Sequence, residues 1–146
     1  MGMIRPAVPE DMTRIAEIEI FNYRLYFYPI FREDAYYFGE LQVPSLAAGY
    51  AARAAQFFVY DDGVVKGFVC VDGDEIVKLF VEPVLHSRGI GAALLAFAVE
   101  TCHADRLWAL EKNTRAIAFY ERHGFRVTSD RKLEEDTDEY LVRLVR

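Results

Sequence analysis

The sequence predicts a mixed α/β domain of the α+β type: a mostly antiparallel sheet of six to seven strands flanked by about four helices, with one parallel β-α-β crossover. Three observations carry that expectation. Phe57 to Tyr60, Val64 to Val71 and Glu75 to Val81 are rich in β-formers, and the turn signals Asp61-Asp62-Gly63 and Asp72-Gly73-Asp74 separate them as in hairpins. From Glu75 to His123 the pattern alternates strand, helix, strand, helix, and a parallel strand pair needs such a crossover. Phe125 to Leu133 and Glu139 to Val145 flank the acidic turn Glu134 to Asp138 as a further antiparallel pair.

Element by element, Met3 to Arg5 reads as a short opening strand. Pro9-Glu10-Asp11 then starts a helix with acids in its first turn, and Met12, Ile15, Ile18 and Phe21 or Asn22 follow at helical spacing, to about Tyr26. Tyr28 to Pro44 is expected to be irregular, and Ser45 to cap an alanine-rich helix reaching about Ala55. Three strands follow, the third ending at Glu82-Pro83. A helix begins near Gly89, Arg106 to Leu110 is a strand, and Asn113 to His123 is a helix with Gly124 as its C-cap.

At 146 residues the chain suits a single domain, 1–146, able to bury about 68 to 70% of its unfolded surface without metal or disulfide help. The apolar share is 53% and the aromatic share 14%, but the longest apolar runs are too short to span a bilayer. No signal-peptide pattern opens the chain, so the expected compartment is the cytoplasm and no membrane partner is expected. Cys70 and Cys102 are read as small apolar residues in a reducing compartment, without a disulfide. A net charge of -6 argues against nucleic acid as a partner and favours a cationic or neutral one. No metal site is expected.

The informative stretch is His86-Ser-Arg-Gly-Ile-Gly-Ala-Ala-Leu-Leu, which sets two glycines at the point where a helix must begin. Ile90, Ala93, Leu94, Phe97 and Ala98 recur on one face, so the helix packs on the sheet. Its first amides have no intrahelical partner, and glycines there let a ligand approach them closely. With the positive end of the helix dipole, such amides suit a phosphate group. A tight strand-to-helix turn explains the same two glycines equally well. A P-loop lacks its Gly-Lys-Ser/Thr here, and a dinucleotide fingerprint would need a third glycine where the chain has Leu94.

The wider context is more specific. Glu75 to Leu95, with a strand ending Val81-Glu-Pro83 ahead of His86-Ser-Arg-Gly-Ile-Gly91, is followed by Asn113-Thr-Arg-Ala-Ile-Ala-Phe-Tyr-Glu-Arg-His-Gly-Phe125. This pair resembles, in order and spacing, the acetyl-coenzyme A motif and the Asn-x-x-Ala-x-x-Phe-Tyr motif of the GNAT superfamily of N-acetyltransferases. His86 departs from the family's Gln or Arg. The resemblance extends over nearly the whole chain, although residues 20 to 55 carry no family motif. It implies acetyl-coenzyme A as co-substrate, bound at the crossover with its pyrophosphate on the amides of Ser87, Arg88, Gly89, Ile90, Gly91 and Ala92, and with the Arg88 charge nearby. It implies that the backbone of Leu79, Phe80 and Val81 pairs with pantetheine like an added strand, one amide polarising the thioester carbonyl. Asn113 would cap its helix and reach the pantetheine arm, and Tyr120 would stand beside the coenzyme sulfur. Phe119 is read as core.

The implied reaction is acetyl transfer to a primary amine by direct attack in a ternary complex. A lysine-like amine, with a pKa of about 10.4, must lose a proton first. Glu75, six residues before Val81, matches the catalytic glutamate of the histone acetyltransferase branch; Glu111 or a water chain are the alternatives. The aromatic crowd from Phe21 to Phe38 falls where the family walls the acceptor pocket, and Tyr23, Tyr26, Phe27 and Phe31 are the expected acceptor contacts. These favour a small-molecule amine over a protein N-terminus or lysine side chain. A non-catalytic acyl-coenzyme A sensor is the reading from another class, and a homodimer stays open.

Overall fold

The computed structural model describes residues 3–146. In chain order its elements are β1 (Ile4–Pro6), α1 (Met12–Asn22), α2 (Tyr28–Phe31), α3 (Val43–Tyr50), β2 (Phe57–Asp61), β3 (Val65–Asp72), β4 (Glu75–Val81), α4 (Ile90–Glu100), β5 (Arg106–Leu110), α5 (Thr114–Arg122), β6 (Arg126–Leu133) and β7 (Tyr140–Val145). Among the described residues, seven strands form one sheet in the order β1-β2-β3-β4-β5-β7-β6. Every neighbouring pair is antiparallel except β4 with β5, which α4 connects as the crossover. The mixed, mostly antiparallel architecture read from the turn signals is the one observed.

Successive side chains of β3 point to opposite faces, and both faces are buried. Val69 and Val71 pack with Ile90, Leu94, Leu95 and Ala98 of α4. Phe68 and Cys70 pack on the other side with Met12, Ile15 and Ile18 of α1. This central strand explains why residues 67–71 read as one apolar run rather than an alternating one. Gly67 lets α4 approach: a Cβ there would lie 3.0 Å from Leu94 Cδ1 and 3.1 Å from the Phe80 carbonyl oxygen.

Two expectations for residues 23–55 are corrected. Tyr28 to Pro44 is mostly helical. After α1 the chain widens into a π-helical turn, Tyr23–Phe27, in which the Tyr28 N–H donates to the Tyr23 carbonyl, and then continues as α2. Pro29 supplies no N–H and its ring would strike the carbonyl four residues back, so a widened turn ahead of it accommodates what a regular helix cannot. Arg32, left-handed at φ 55°, ends α2, and a second π-helical segment, Ala35–Glu40, leads to α3. Nor does Ser45 cap α3. The helix starts at Val43, with Gln42 as N-cap and Pro44 in the first turn, where a missing N–H costs nothing. Ser45 Oγ donates to the Gln42 carbonyl at 3.1 Å, and the chain beyond Tyr50 tightens to a 3-10 segment, Ala51–Gln56.

The C-terminal half follows the sequence pattern. The Phe125 N–H donates to the Tyr120 carbonyl and the Gly124 N–H to that of Glu121, closing α5 in a Schellman arrangement. β6, an edge strand, is mostly exposed and charged, which protects an open ladder from further pairing.

Candidate active site

β4 and β5 are paired only at Glu75 with Arg106 and Ile76 with Leu107. The register of β4 on β3 shifts between Cys70 opposite Lys78 and Val71 opposite Ile76, so Val77 is an inserted residue. A bulge bends its strand. Beyond it β4 follows β3 while β5 follows β7, leaving Leu79 to Val81 with an unpaired edge. The Glu82 N–H donates to the Lys66 carbonyl at 2.9 Å. Alternation along the strand therefore turns the N–H and C=O of Phe80 toward β3, and those of Leu79 and Val81 into the opening.

The opening leads into a cavity of about 380 Å³ walled by β4, the start of α4 and α5. Among the described residues no side chain caps α4, whose N-cap Gly89 has φ 86°, a backbone state that residues with side chains rarely adopt; Ser87, two residues before it, is also left-handed at φ 67°. The first helical bond, from the Ala93 N–H to the Gly89 carbonyl, leaves the amides of residues 90 to 92 outside the helical ladder. Ser87, Gly89, Gly91 and Ala92 line the cavity, so these donors and the positive helix end face a concave, ligand-sized space.

From the opposite side, Asn113 caps α5 by accepting from the Ala116 N–H at 3.3 Å. Two turns on, Tyr120 lines the cavity while packing edge-on against Phe119 and Phe125. Burial pushes its phenol above the ordinary tyrosine value, and among the described residues its hydroxyl has no protein hydrogen-bond partner. Asn22, at the end of α1, is 3% exposed and donates from Nδ2 to the carbonyls of Ile18 at 2.8 Å and Val81 at 2.9 Å.

Of the residues expected to form the site, Leu79, Phe80, Val81, Ser87, Gly89, Gly91, Ala92, Asn113, Tyr120, Tyr26 and Phe27 line this one cavity. Arg88 is exposed beside it, and Ile90 turns its side chain into the core. Tyr23 lies behind the wall, stacked on Phe27 at 4.7 Å and edge-on to Phe80 at 5.5 Å. Its hydroxyl accepts from Lys78 Nζ, which also bonds Glu19, and Glu19 accepts from Tyr50 as well. Phe31 lines a separate cavity of about 400 Å³ with Ile30, Glu33 and residues 133–139 of the acidic β6–β7 turn.

The two carboxylates expected as bases are not brought to the cavity. Glu75 starts β4 opposite Asp72 and Arg106. Six strand residues put it on the order of 20 Å from Val81. Glu111 is exposed and hydrogen-bonded to Arg131 at 3.0 Å. No Asp or Glu lines the cavity among the described residues. Cys70 is fully buried on the α1 face, its thiol pushed up to about 11 by burial, and it too lies away from the cavity. Among the described residues no cluster of His, Cys, Asp and Glu could hold a metal, and no helix is long and apolar enough to cross a membrane.

Residues 53–127, about half of the chain, match the family model described as Acetyltransferase (GNAT) domain. The chain belongs to the GNAT acetyltransferase family. As a GNAT domain it is 33% identical over 86 residues to the peptidyl-lysine N-acetyltransferase YiaC of Escherichia coli K12, a match covering 58% of this chain and 59% of the relative. It is 30% identical over 77 residues to the peptidyl-lysine N-acetyltransferase YjaB of Salmonella typhimurium LT2, covering 53% of each. The chain thus spans less than two thirds of the length of either curated relative in the matched segment. The PaiA N-acetyltransferase of Thermoplasma acidophilum, solved in complex with coenzyme A, shares the fold with a TM-score of 0.76 over 96% of both chains at 18% identity.

Cavity residues not singled out from the sequence include Asn22, Arg115 and His123, whereas His86 stood out there as the motif position that departs from the family's Gln or Arg. Asn22 carries a readable signal, an amide on the apolar face of an amphipathic helix. Arg115 carries none, because an arginine in the first turn of a helix is ordinarily a solvated one. The pairing of Glu19 with Lys78 was equally hidden, since 59 residues separate them in sequence.

Proposed function

We propose that the protein is an acetyl-coenzyme A-dependent N-acetyltransferase in which a primary amine attacks the thioester directly. The observation that carries the reading is the unpaired edge of Leu79 to Val81 opening into the same cavity as the uncapped N-terminus of α4. The first is suited to an extended amide chain and the second to a pyrophosphate, and the pantetheine arm of coenzyme A joins those two chemistries in one molecule.

In this reading the amides of Ser87 to Ala92 hold the pyrophosphate with the Arg88 charge nearby. The inward N–H and C=O of Leu79 and the N–H of Val81 hold pantetheine, one amide polarising the thioester carbonyl, and Asn113 contacts the arm while capping α5. Tyr120 donates a hydrogen bond to the departing sulfur. With no carboxylate on the cavity, the attacking amine passes its proton to water, and the rate rises with pH toward the amine's own pKa. The buried Cys70 is not needed, which fits a ternary complex without an acyl-enzyme.

For the acceptor, the names of the two relatives support a lysine side chain on a peptide, and the acid-lined cavity beside Phe31 is of the sign that attracts one. A small-molecule amine is the second reading, favoured by the aromatic wall of Tyr26 and Phe27. Thiol release measured with lysine peptides against free amines decides between them. The donor site is tested by calorimetry on Gly89→Glu, which sets bulk and negative charge at the pyrophosphate position. Coenzyme A affinity should fall by at least about tenfold. Unchanged affinity in a folded variant would overturn the site.

A further inference from the structure

One side of the cavity is walled by three side chains from three parts of the chain: Tyr26 from the widened turn after α1, His86 from the loop after β4, and Arg115 from the first turn of α5. His86 Nε2 lies 2.9 Å from the Val81 carbonyl oxygen. A carbonyl only accepts, so Nε2 carries a proton. His86 Nδ1 is hydrogen-bonded to Arg115 Nη2, and a guanidinium only donates, so Nδ1 carries the lone pair. The neutral Nε2–H tautomer alone satisfies both partners. The Tyr26 hydroxyl lies 3.3 Å from the same Nδ1, its ring stacks on the imidazole at 5.6 Å and 18°, and the Arg115 guanidinium covers that ring at 4.6 Å.

We propose that neutral His86 is a positioning residue of the donor site, a latch that ties the end of β4 to Tyr26 and Arg115 and releases Arg115 when it is protonated. The proposal rests on reading the cavity as the acyl-coenzyme A site. Val81 is where the latch acts: its carbonyl accepts from both Asn22 and His86, so the last residue of β4 is clamped from α1 and from the following loop at once. Protonation leaves the bond to Val81 intact, because Nε2 already donates. At the other nitrogen it sets a second N–H, and a second cation, against the guanidinium. The contact breaks there, and Tyr26 loses its cationic cover while its hydroxyl changes from donor to acceptor toward the new Nδ1–H.

The groups facing His86 set the pH window. Burial holds the imidazole below its ordinary value, and the Arg115 charge acts in the same direction, against the Val81 hydrogen bond and the Glu82 charge. Glu82 is itself engaged by Arg14 at 2.7 Å, which weakens its pull. A depressed folded value means that the latch is complete above the usual imidazole range, about pH 6.5, and opens only as pH falls through the lowered value.

Glutamine at this position keeps one N–H donor and one carbonyl acceptor without titrating, whereas arginine keeps donors alone. Coenzyme A affinity is therefore measured by calorimetry on the full chain and on His86→Gln and His86→Arg, at about pH 7.5 and about pH 5.5. The coenzyme's own phosphate titrates near pH 6 but does so identically for all three proteins, so ratios between them isolate His86. His86→Gln should bind within about threefold of the parent at the higher pH, and on acidification the parent should lose at least about threefold more affinity than His86→Gln. His86→Arg should be the weaker binder at both pH values. Parallel profiles for the parent and His86→Gln, with coenzyme A still bound, would overturn the latch alone, whereas absence of binding in all three would overturn the donor site itself. As a readout independent of binding, Arg115→Met should raise the His86 titration midpoint followed by NMR; an unmoved midpoint would also overturn the latch.

Discussion

Tyr120 illustrates what one buried side chain can and cannot do. A phenol near pKa 10 that gave its proton to a thiolate near 8.5 would run uphill by about 2 kcal/mol, and burial pushes this phenol higher still. It therefore stays protonated across the working range, and in the proposed reaction its part is to donate a hydrogen bond rather than a proton. A hydrogen bond to a charged acceptor is worth about 1.5 to 3 kcal/mol, so Tyr120→Phe should slow turnover by roughly 10- to 150-fold. Coenzyme A affinity should change little, since the interaction strengthens only as charge reaches the sulfur. Turnover measured with the acetyl thioester of a more acidic thiol should show a smaller loss, because less charge then needs stabilising; an equal loss with both donors would remove the sulfur contact. Glu75 and Glu111 lie off the cavity, so in the proposed reaction the acid limb of the rate profile is expected from the amine and from His86 rather than from a carboxylate base.

At the scale of elements, α1 is fastened to β4 and α3 by a polar network inside the core. Glu19 is 1% exposed, shares the single Tyr50 hydroxyl proton between its two carboxylate oxygens at 2.9 and 3.0 Å, and pairs with Lys78 at 2.9 Å. Removing one partner of a buried pair leaves an uncompensated charge, whereas replacing both by apolar groups can be neutral. Lys78→Met alone should therefore cost about 3 kcal/mol, and Glu19→Leu with Lys78→Met distinctly less than the sum of the single changes. Urea titrations of the three variants measure the coupling, and simple additivity would show that the pair does not act as a unit. This network also marks the limit of what the sequence could tell. The hairpins, the crossover, the Asn113 cap and the Gly89 turn each depend on a few neighbouring residues, and each is found where local pattern placed it. Tyr28 to Pro44 was misread as irregular, at its start because the device that keeps Tyr28 to Phe31 helical, a widened turn before Pro29, offsets a local rule instead of following it. Within the site, the main-chain groups were legible through glycine and strand pattern. The side chains of Asn22, His86 and Arg115 meet only through the tertiary fold.

For the molecule as a whole, the sheet is nearly two sheets. β1 to β4 form one antiparallel body and β5 to β7 another, joined directly by only the Glu75 and Ile76 pairs on β5 and held otherwise by packing against α4 and α5. The proposed donor site is the gap between these bodies, so binding should complete a ladder that folding leaves open. The backbone direction makes this measurable one residue at a time. The Phe80 amide points to β3 and is bonded there with or without ligand, while the amides of Leu79 and Val81 point into the opening. In hydrogen exchange on the free protein, Leu79 and Val81 should exchange much faster than Phe80 between them. Saturation with coenzyme A should slow both by at least about tenfold and leave Phe80 nearly unchanged, because an added strand protects only the edge it joins. Uniform slowing along residues 79–81 would instead mean that the ligand stabilises the whole fold from elsewhere, by mass action, without pairing with β4.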